Sequence, residues 1–256
     1  MTPDKGLRQK AFPCLGAVLL LIYQAHAEIS LTTWTRLDID VNRTDRDFGI
    51  HWGDINGDGE LDVVDGVHVH INPGGDMSGD WARYSDIGSH DGSLLWDWDN
   101  DGVCEMIAQD LPDVWYYRTE DGGKTWEGKI VGSAQREKHG NAAQGQYVAD
   151  IEEGGALEVV LASGPDRIVY FVVPDDPWNG VWEKVEVTGA DDGTHEGVGI
   201  GDIDGDGDPD MAGHIGSRPD HVRWWENPGD GGGNWEHTDV GRATQYVDRC
   251  RIADLN

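Results

Sequence analysis

Short runs of alternating apolar and polar residues recur along the chain, separated by clusters of Gly, Asp, Asn and Pro. No stretch carries the three-to-four spacing of a long amphipathic helix. Trp182-Glu-Lys-Val-Glu-Val alternates like a half-buried strand, and Trp34, Trp81, Trp126 and Trp235 open equivalent segments. Arg167-Ile-Val-Tyr-Phe-Val-Val and His221-Val-Arg-Trp-Trp are aromatic and β-branched, whereas Glu158-Val-Val-Leu is short and apolar. Each unit therefore predicts four short strands. Strand A is represented by Gly197 to Gly201, an acidic loop follows from Asp202 to Asp210, and strands B, C and D complete the unit.

The units repeat in register. Acidic loops begin at Asp54, Asp97, Asp150, Asp202 and Asp254, at intervals of 43, 53, 52 and 52 residues. The Trp residues opening strand D keep the same period, and Gly49, Gly92, Gly145 and Gly197 each stand five residues before the first Asp. Four-stranded units at this period predict an all-β fold, a β-propeller of four-stranded antiparallel blades. The blades are expected at about residues 45–88, 89–132, 139–188 and 193–240, with the start of a fifth at 244–256. Residues 33–40 match strand D alone and predict a ring-closing strand. Seven blades are expected in a complete ring, so the sequence reads as truncated after about four. An open ring would then expose the face of blade 4 that bears Val198 and Ile200.

Composition changes this picture in three ways. A basic start (Lys5, Arg8, Lys10), an apolar run from Ala11 to Tyr23 and Ala25-His26-Ala27 predict a signal peptide over 1–27, hence secretion, with the propeller over 28–256. No later run is long and apolar enough to span a membrane. Nineteen basic against 49 acidic residues give a formal charge of −30, which excludes nucleic acid as the partner. Cys104 and Cys250 alone remain after the expected cleavage, too few for a disulfide scaffold.

The acidic residues are concentrated in loops that place side chains at alternate positions, as a hard cation such as Ca2+ requires. Asp54, Asn56, Asp58 and Asp62 supply positions 1, 3, 5 and 9 of the first loop, and Glu60 offers its carbonyl at position 7. The same places are taken by Asp97, Asp99, Asp101, Val103 and Glu105, and by Asp202, Asp204, Asp206, Asp208 and Asp210. The loop from Asp150 to Glu158 has Gly154 at position 5 and is expected to bind metal weakly or not at all.

These loops, above all Gly53-Asp-Ile-Asn-Gly-Asp-Gly, together with Trp224-Trp-Glu-Asn-Pro-Gly, resemble the FG-GAP/VCBS repeat family over residues 33 to 256. The resemblance implies a seven-bladed propeller with calcium in the loops. Thr119-Glu-Asp121-Gly-Gly-Lys-Thr-Trp126 resembles the Asp-box hairpin of sialidase-like propellers, which implies a structural turn and no sialidase activity.

In a propeller the loops joining strands A and B share one face, and the other connections meet on the opposite one. His51, His90, His139, His195, Tyr246, Arg249 and Arg251 fall near that opposite face and form the candidate catalytic set. Arg249 stands where four other units have Gly. Propellers of similar shape include polysaccharide lyases and aldos-2-ulose dehydratases, in which a cation holds the carboxylate and His or Tyr moves the proton. One expectation is therefore an enzyme eliminating at a uronate or keto sugar of a polysaccharide or oligosaccharide. The alternatives are a non-catalytic module binding carbohydrate or protein, and a scaffold for chemistry elsewhere. No nucleophile elbow is present. His68 and His70 alternate on one strand, compatible with zinc but expected to be exposed.

Overall fold

The computed structural model describes residues 36–41, 49–66, 68–85, 87, 92–110, 112–135, 145–164, 166–194, 197–216, 218–229, 233–245, 247 and 249–253. The expected signal peptide lies outside them. Two compact units divide at Asp38. In the first, the described residues are 36–38, where Arg36 Nε donates to Asp38 at 2.7 Å.

Ile39–Asn256 is an all-β, propeller-like unit with four antiparallel sheets and no helix among the described residues. Blade 1 holds β1 (His51–Gly53), β2 (Asp62–Val64), β3 (Val69–Ile71) and β4 (Ala82–Tyr84). Blade 2 holds β5 (Ser93–Trp96), β6 (Glu105–Asp110), β7 (Asp113–Arg118) and β8 (Glu127–Ser133). Blade 3 holds β9 (Gln146–Ala149), β10 (Glu158–Ser163), β11 (Arg167–Val172) and β12 (Glu183–Glu186). Blade 4 holds β13 (Gly199–Gly201), β14 (Asp210–Ile215), β15 (Arg218–Trp225) and β16 (His237–Arg242). Each sheet is ordered as the chain runs, the meander that short turns between antiparallel strands allow. The expected Trp residues lie just ahead of the fourth strands.

The first strands come together, β1 beside β5 and β5 beside β9. Side chains alternate between the two faces of each sheet, so blades 2 and 3 each pack on the blade before and the blade after. Register aligns Leu95–Met106–Tyr117, Val148–Val159–Phe171 and Ile200–Met211–Trp225 across the strands of blades 2, 3 and 4. Phe171 and Trp225 are buried, and Gly132 of β8 leaves the Phe171 ring the space that a Cβ would take. One core cluster runs from Leu94 and Tyr116 through Leu161 and Phe171 to Met211 and Trp225, and a second joins Ile55, Val64 and Val69 to Leu95 and Met106.

Two expectations need correction. Residues 36–40 take no strand conformation. Residues 33–35 of the expected ring-closing strand lie outside the described residues. Val198 does not lie on an exposed face: it is fully buried. Period-two alternation turns Gly197, Gly199 and Gly201 the other way, and those glycines receive Arg249, Arg251 and Ile252, with Gly197 and Arg249 bridged in parallel.

Candidate metal centres

The acidic loops join the first and second strands of each blade, and three share one hydrogen-bond plan. The side chain at position 1 gathers amides from further along. Asp54 accepts from Gly57 and Gly59 at 2.7 Å each, Asp97 from Asp101 and Gly102 at 3.0 Å each, and Asp202 from Gly205 at 2.7 Å and Gly207 at 3.2 Å. Position 3 then accepts the amide of position 5: Asn56 from Asp58 at 2.9 Å, Asp99 from Asp101 at 3.2 Å, Asp204 from Asp206 at 3.1 Å. Position 5 accepts that of position 7: Asp58 from Glu60, Asp101 from Val103 and Asp206 from Asp208, at 2.8 to 3.0 Å. The backbone coils round its own carboxylates. Coiling needs a left-handed residue at position 4, supplied by Gly57 and Gly205 and, unusually, by Asn100 at φ 60°.

Position 9 behaves differently. Asp62, Glu105 and Asp210 are buried, and each accepts the amide of position 2, from Ile55, Trp98 and Ile203, at 2.8 to 2.9 Å. Asp62 and Asp210 also accept the amides of Asn72 and Asn227, at 2.7 and 2.9 Å, just beyond the third strand. One carboxylate thus pins the loop start, the second strand and the next turn. Burial raises the pKa of all three, bonded amides oppose the rise, and the other loop carboxylates add to it. Glu105 moves furthest, to about 7.

In the second loop Asp97, Asp99, Asp101 and Glu105 each bring an oxygen within 4.8 Å of the others, and in the fourth Asp202, Asp204 and Asp210 do so. In the first loop, Asn56 Nδ2 donates to Asp58 at 2.9 Å. The Asp150 loop departs as its sequence predicts. Its left-handed residues are Gly154 and Gly155, and Tyr170 donates to Glu152 at 2.8 Å, so a protein hydroxyl satisfies a carboxylate there. Glu158 still anchors Ile151 at 2.8 Å.

Without a bound cation, Glu105 should make the fold less stable as pH rises. Its folded pKa, about 7, lies above its ordinary value of 4.5, so between those values the folded state holds more protons than the unfolded one. Stability is then present at low pH and lost through pH 7. Melting scans in chelator from pH 4.5 to 8 should show the fall, and Glu105→Gln should flatten it. A wild-type profile already flat would contradict the assignment.

The loops are also linked to neighbouring blades. Cys104 N donates to Asp54 O at 2.6 Å, Trp98 Nε1 to Leu157 O at 3.4 Å, and Asn227 Nδ2 to Ile151 O at 3.1 Å. The Asp-box-like turn forms as its motif implies. Asp121 accepts the amides of Lys124 and Thr125 at 3.1 and 2.9 Å, and Gly122 and Gly123 settle against Asn56 and Ile55 of blade 1.

Of the candidate catalytic set, His90, His139, His195 and Tyr246 lie outside the described residues. His51 is half-buried: its Nδ1 accepts the Leu95 amide at 3.2 Å, and burial lowers its pKa against the opposing Trp52 backbone bond. That arrangement holds two blades together. Arg251 lies over the Tyr147 ring at 5.1 Å and donates to Cys250 O at 2.8 Å. Tyr147 is the residue of blade 3 at the His51 position. Burial raises its pKa while Arg251 and Arg249 oppose the rise, and its hydroxyl has no partner among the described residues. The arginines and Tyr147 therefore gather at the first strands, without His51 among the contacts seen. Arg167, at the turn after β10, pairs with Glu186. His68 and His70, expected exposed, are buried beside Asp65, which the sequence had not singled out. Cys104 and Cys250 are unpaired thiols.

No protein-family model and no curated protein matches the chain. Among solved structures it is similar to one described as the structural basis of specific recognition of non-reducing terminal N-acetylglucosamine by an Agrocybe aegerita lectin, at 20% identity and a TM-score of 0.49. The similarity covers 75% of this chain, which spans about half (51%) of the lectin's length.

Proposed function

We propose that this is a secreted propeller of the FG-GAP/VCBS type, held together by calcium in its acidic loops and acting as a carbohydrate-binding module. The repeated hydrogen-bond plan of the Asp54, Asp97 and Asp202 loops carries the reading. The Asp97 and Asp202 loops bring carboxylate oxygens together, the donor set of a hard divalent cation, and all three loops spend backbone amides on orienting their side chains. Calcium there would supply the charge that lets several carboxylates share one turn. Trp52 and Trp96, on the first strands, are 59% and 43% exposed, and such flat apolar rings suit the C–H faces of sugars.

The test is a glycan array probed with and without calcium, followed by calorimetry on the best ligand. Binding should require calcium, and Trp96→Ala should weaken it about tenfold or more without moving the melting temperature, as a lost aromatic contact of 1.4 kcal/mol or so would. Failure to bind any glycan in calcium would refute the carbohydrate assignment.

A second reading has its own observation. Tyr147, with Arg251 over its ring, could serve elimination at a uronate. Arg249 and Arg251, which oppose the rise of its pKa, hold the carboxylate, while the phenolate takes the proton from the carbon beside it and returns that proton to the departing oxygen as the C–O bond breaks. Incubation with uronate polysaccharides would then raise the ultraviolet absorbance of an unsaturated product, and Arg249→Ala or Arg251→Ala would abolish the rise. Binding without any rise would eliminate the enzyme.

A further inference from the structure

At the turn between β2 and β3 the first blade departs from the others. Register equates Asp65 with Ala108, Leu161 and Gly213, and His70 with Tyr117, Phe171 and Trp225. Where the other blades place small, aliphatic or aromatic groups, this one buries a carboxylate and an imidazole, and adds His68 next to them. Their side chains keep only 5%, 3% and 9% exposure.

The turn fixes them. Asp65 N–H donates to His68 O at 3.1 Å, His68 N–H returns to Asp65 Oδ1 at 2.9 Å, and Gly66 at φ 87° permits the reversal. Asp65 Oδ2 lies 2.7 Å from His70 Nε2, and Asp65 Oδ1 lies 3.5 Å from His68 Nδ1. The imidazoles are 5.9 Å apart at their centroids, and one ligand atom from each of the three residues falls within 4.8 Å of the others. His68 Nδ1 is a buried nitrogen with no hydrogen-bond partner among the described residues. Leaving such an atom unsatisfied is costly unless something else completes it.

We propose that Asp65, His68 and His70 bind one divalent transition metal of the zinc class. Two imidazole nitrogens and a carboxylate oxygen form a donor set for zinc, unlike the all-oxygen loops on the other side of the blade. Zinc bonds of about 2.0–2.1 Å in a tetrahedron set ligand atoms about 3.3 Å apart. His70 Nε2 lies 2.7 Å from Asp65 Oδ2 and His68 Nδ1 3.5 Å from Asp65 Oδ1, so each imidazole is within a few tenths of an ångström of that spacing from one carboxylate oxygen. The metal takes His68 Nδ1, His70 Nε2 and an Asp65 oxygen, with the fourth position left to water or a ligand. Arg83, the register partner of His70 on β4, is held 2.7 Å from Asp40 and so has a carboxylate of its own.

The experiment uses the full chain, stripped with chelator and returned to excess calcium so that the acidic loops do not compete. Cobalt is titrated first, zinc second. Visible cobalt bands saturating at about one equivalent and abolished by zinc are expected, with His68→Gln and His70→Gln each losing them and His237→Gln, on the exposed strand β16, retaining them. X-ray absorption on the wild-type zinc form should show imidazole ligands, which keeps the test decisive if a variant fails to fold. No cobalt bands, zinc without imidazole ligation, or bands that survive His70→Gln would each overturn the site. In that case the cluster is a buried hydrogen-bonded trio and nothing more.

Discussion

Chelation with EDTA should lower the melting temperature by about 5–10 °C for each loop that calcium occupies. A cation at a hundred times its dissociation constant adds about 2.7 kcal/mol, and a domain of this size shifts about 2–4 °C per kcal/mol. The Asp97 loop gives the sharpest form of the test. Its four carboxylates converge within 4.8 Å, and the charges of Asp101 and Asp97 add to the burial that raises the pKa of Asp99. Asp99→Asn should therefore destabilise the protein in calcium, by removing a ligand, and stabilise it in EDTA, by removing repulsion. A change of sign between the two media is something a purely structural side chain would not produce. Asp150→Asn should alter neither curve, because Gly154 leaves that loop without its central carboxylate. A melting curve indifferent to chelator would remove the calcium assignment.

Phe171→Ala should cost about 3–5 kcal/mol, the range for deleting a buried aromatic ring, and lower the melting temperature by about 6–20 °C. The ring is 1% exposed and sits against Gly132 of the preceding blade. Neither blade can close the gap alone, since pairing within its own sheet fixes each strand in place. Gly132→Val tests the same interface from the other direction, overpacking it where no room for a Cβ exists. Denaturant titrations that found either variant within about 1 kcal/mol of wild type would mean that blades 2 and 3 slide to accommodate the change.

The strands and acidic loops were legible because each reports a local cause. Alternation marks a half-buried strand wherever it occurs, and Asp-x-Asp-x-Asp with glycines between marks a backbone that curls round its own side chains. The role of position 9 was legible only in part. Asp62 and Asp210 read as ligands, but their bonds to Asn72 and Asn227 join residues ten and seventeen positions apart, which no loop motif contains. His68 and His70 were misjudged for a related reason. An alternating strand says that two faces differ but not which one is covered, and only alignment of His70 with Phe171 and Trp225 shows that its face is an interface. Val198 failed in the same way, its neighbours Gly197 and Gly199 being the side turned to Arg249 and Arg251. The closing strand rested on resemblance to strand D alone, and residues 36–40 of it take no strand conformation. Tyr147 stood in the right row of the repeat, yet its companionship with Arg251 belongs to packing between successive first strands.

The hydrogen bonds from Cys104 to Asp54, Trp98 to Leu157 and Asn227 to Ile151 tie the Asp54, Asp97 and Asp150 loops each to the blade that follows it. They make the loops a linear array with nearest-neighbour coupling rather than a set of independent sites. In such an array, stiffening one unit lowers the entropic cost of stiffening the next, and the influence fades with each further step. Damage is graded by the same rule: a substitution in one loop is felt strongly next door and faintly two units away. The order in which the loops are filled would then carry information about where the chain is strained.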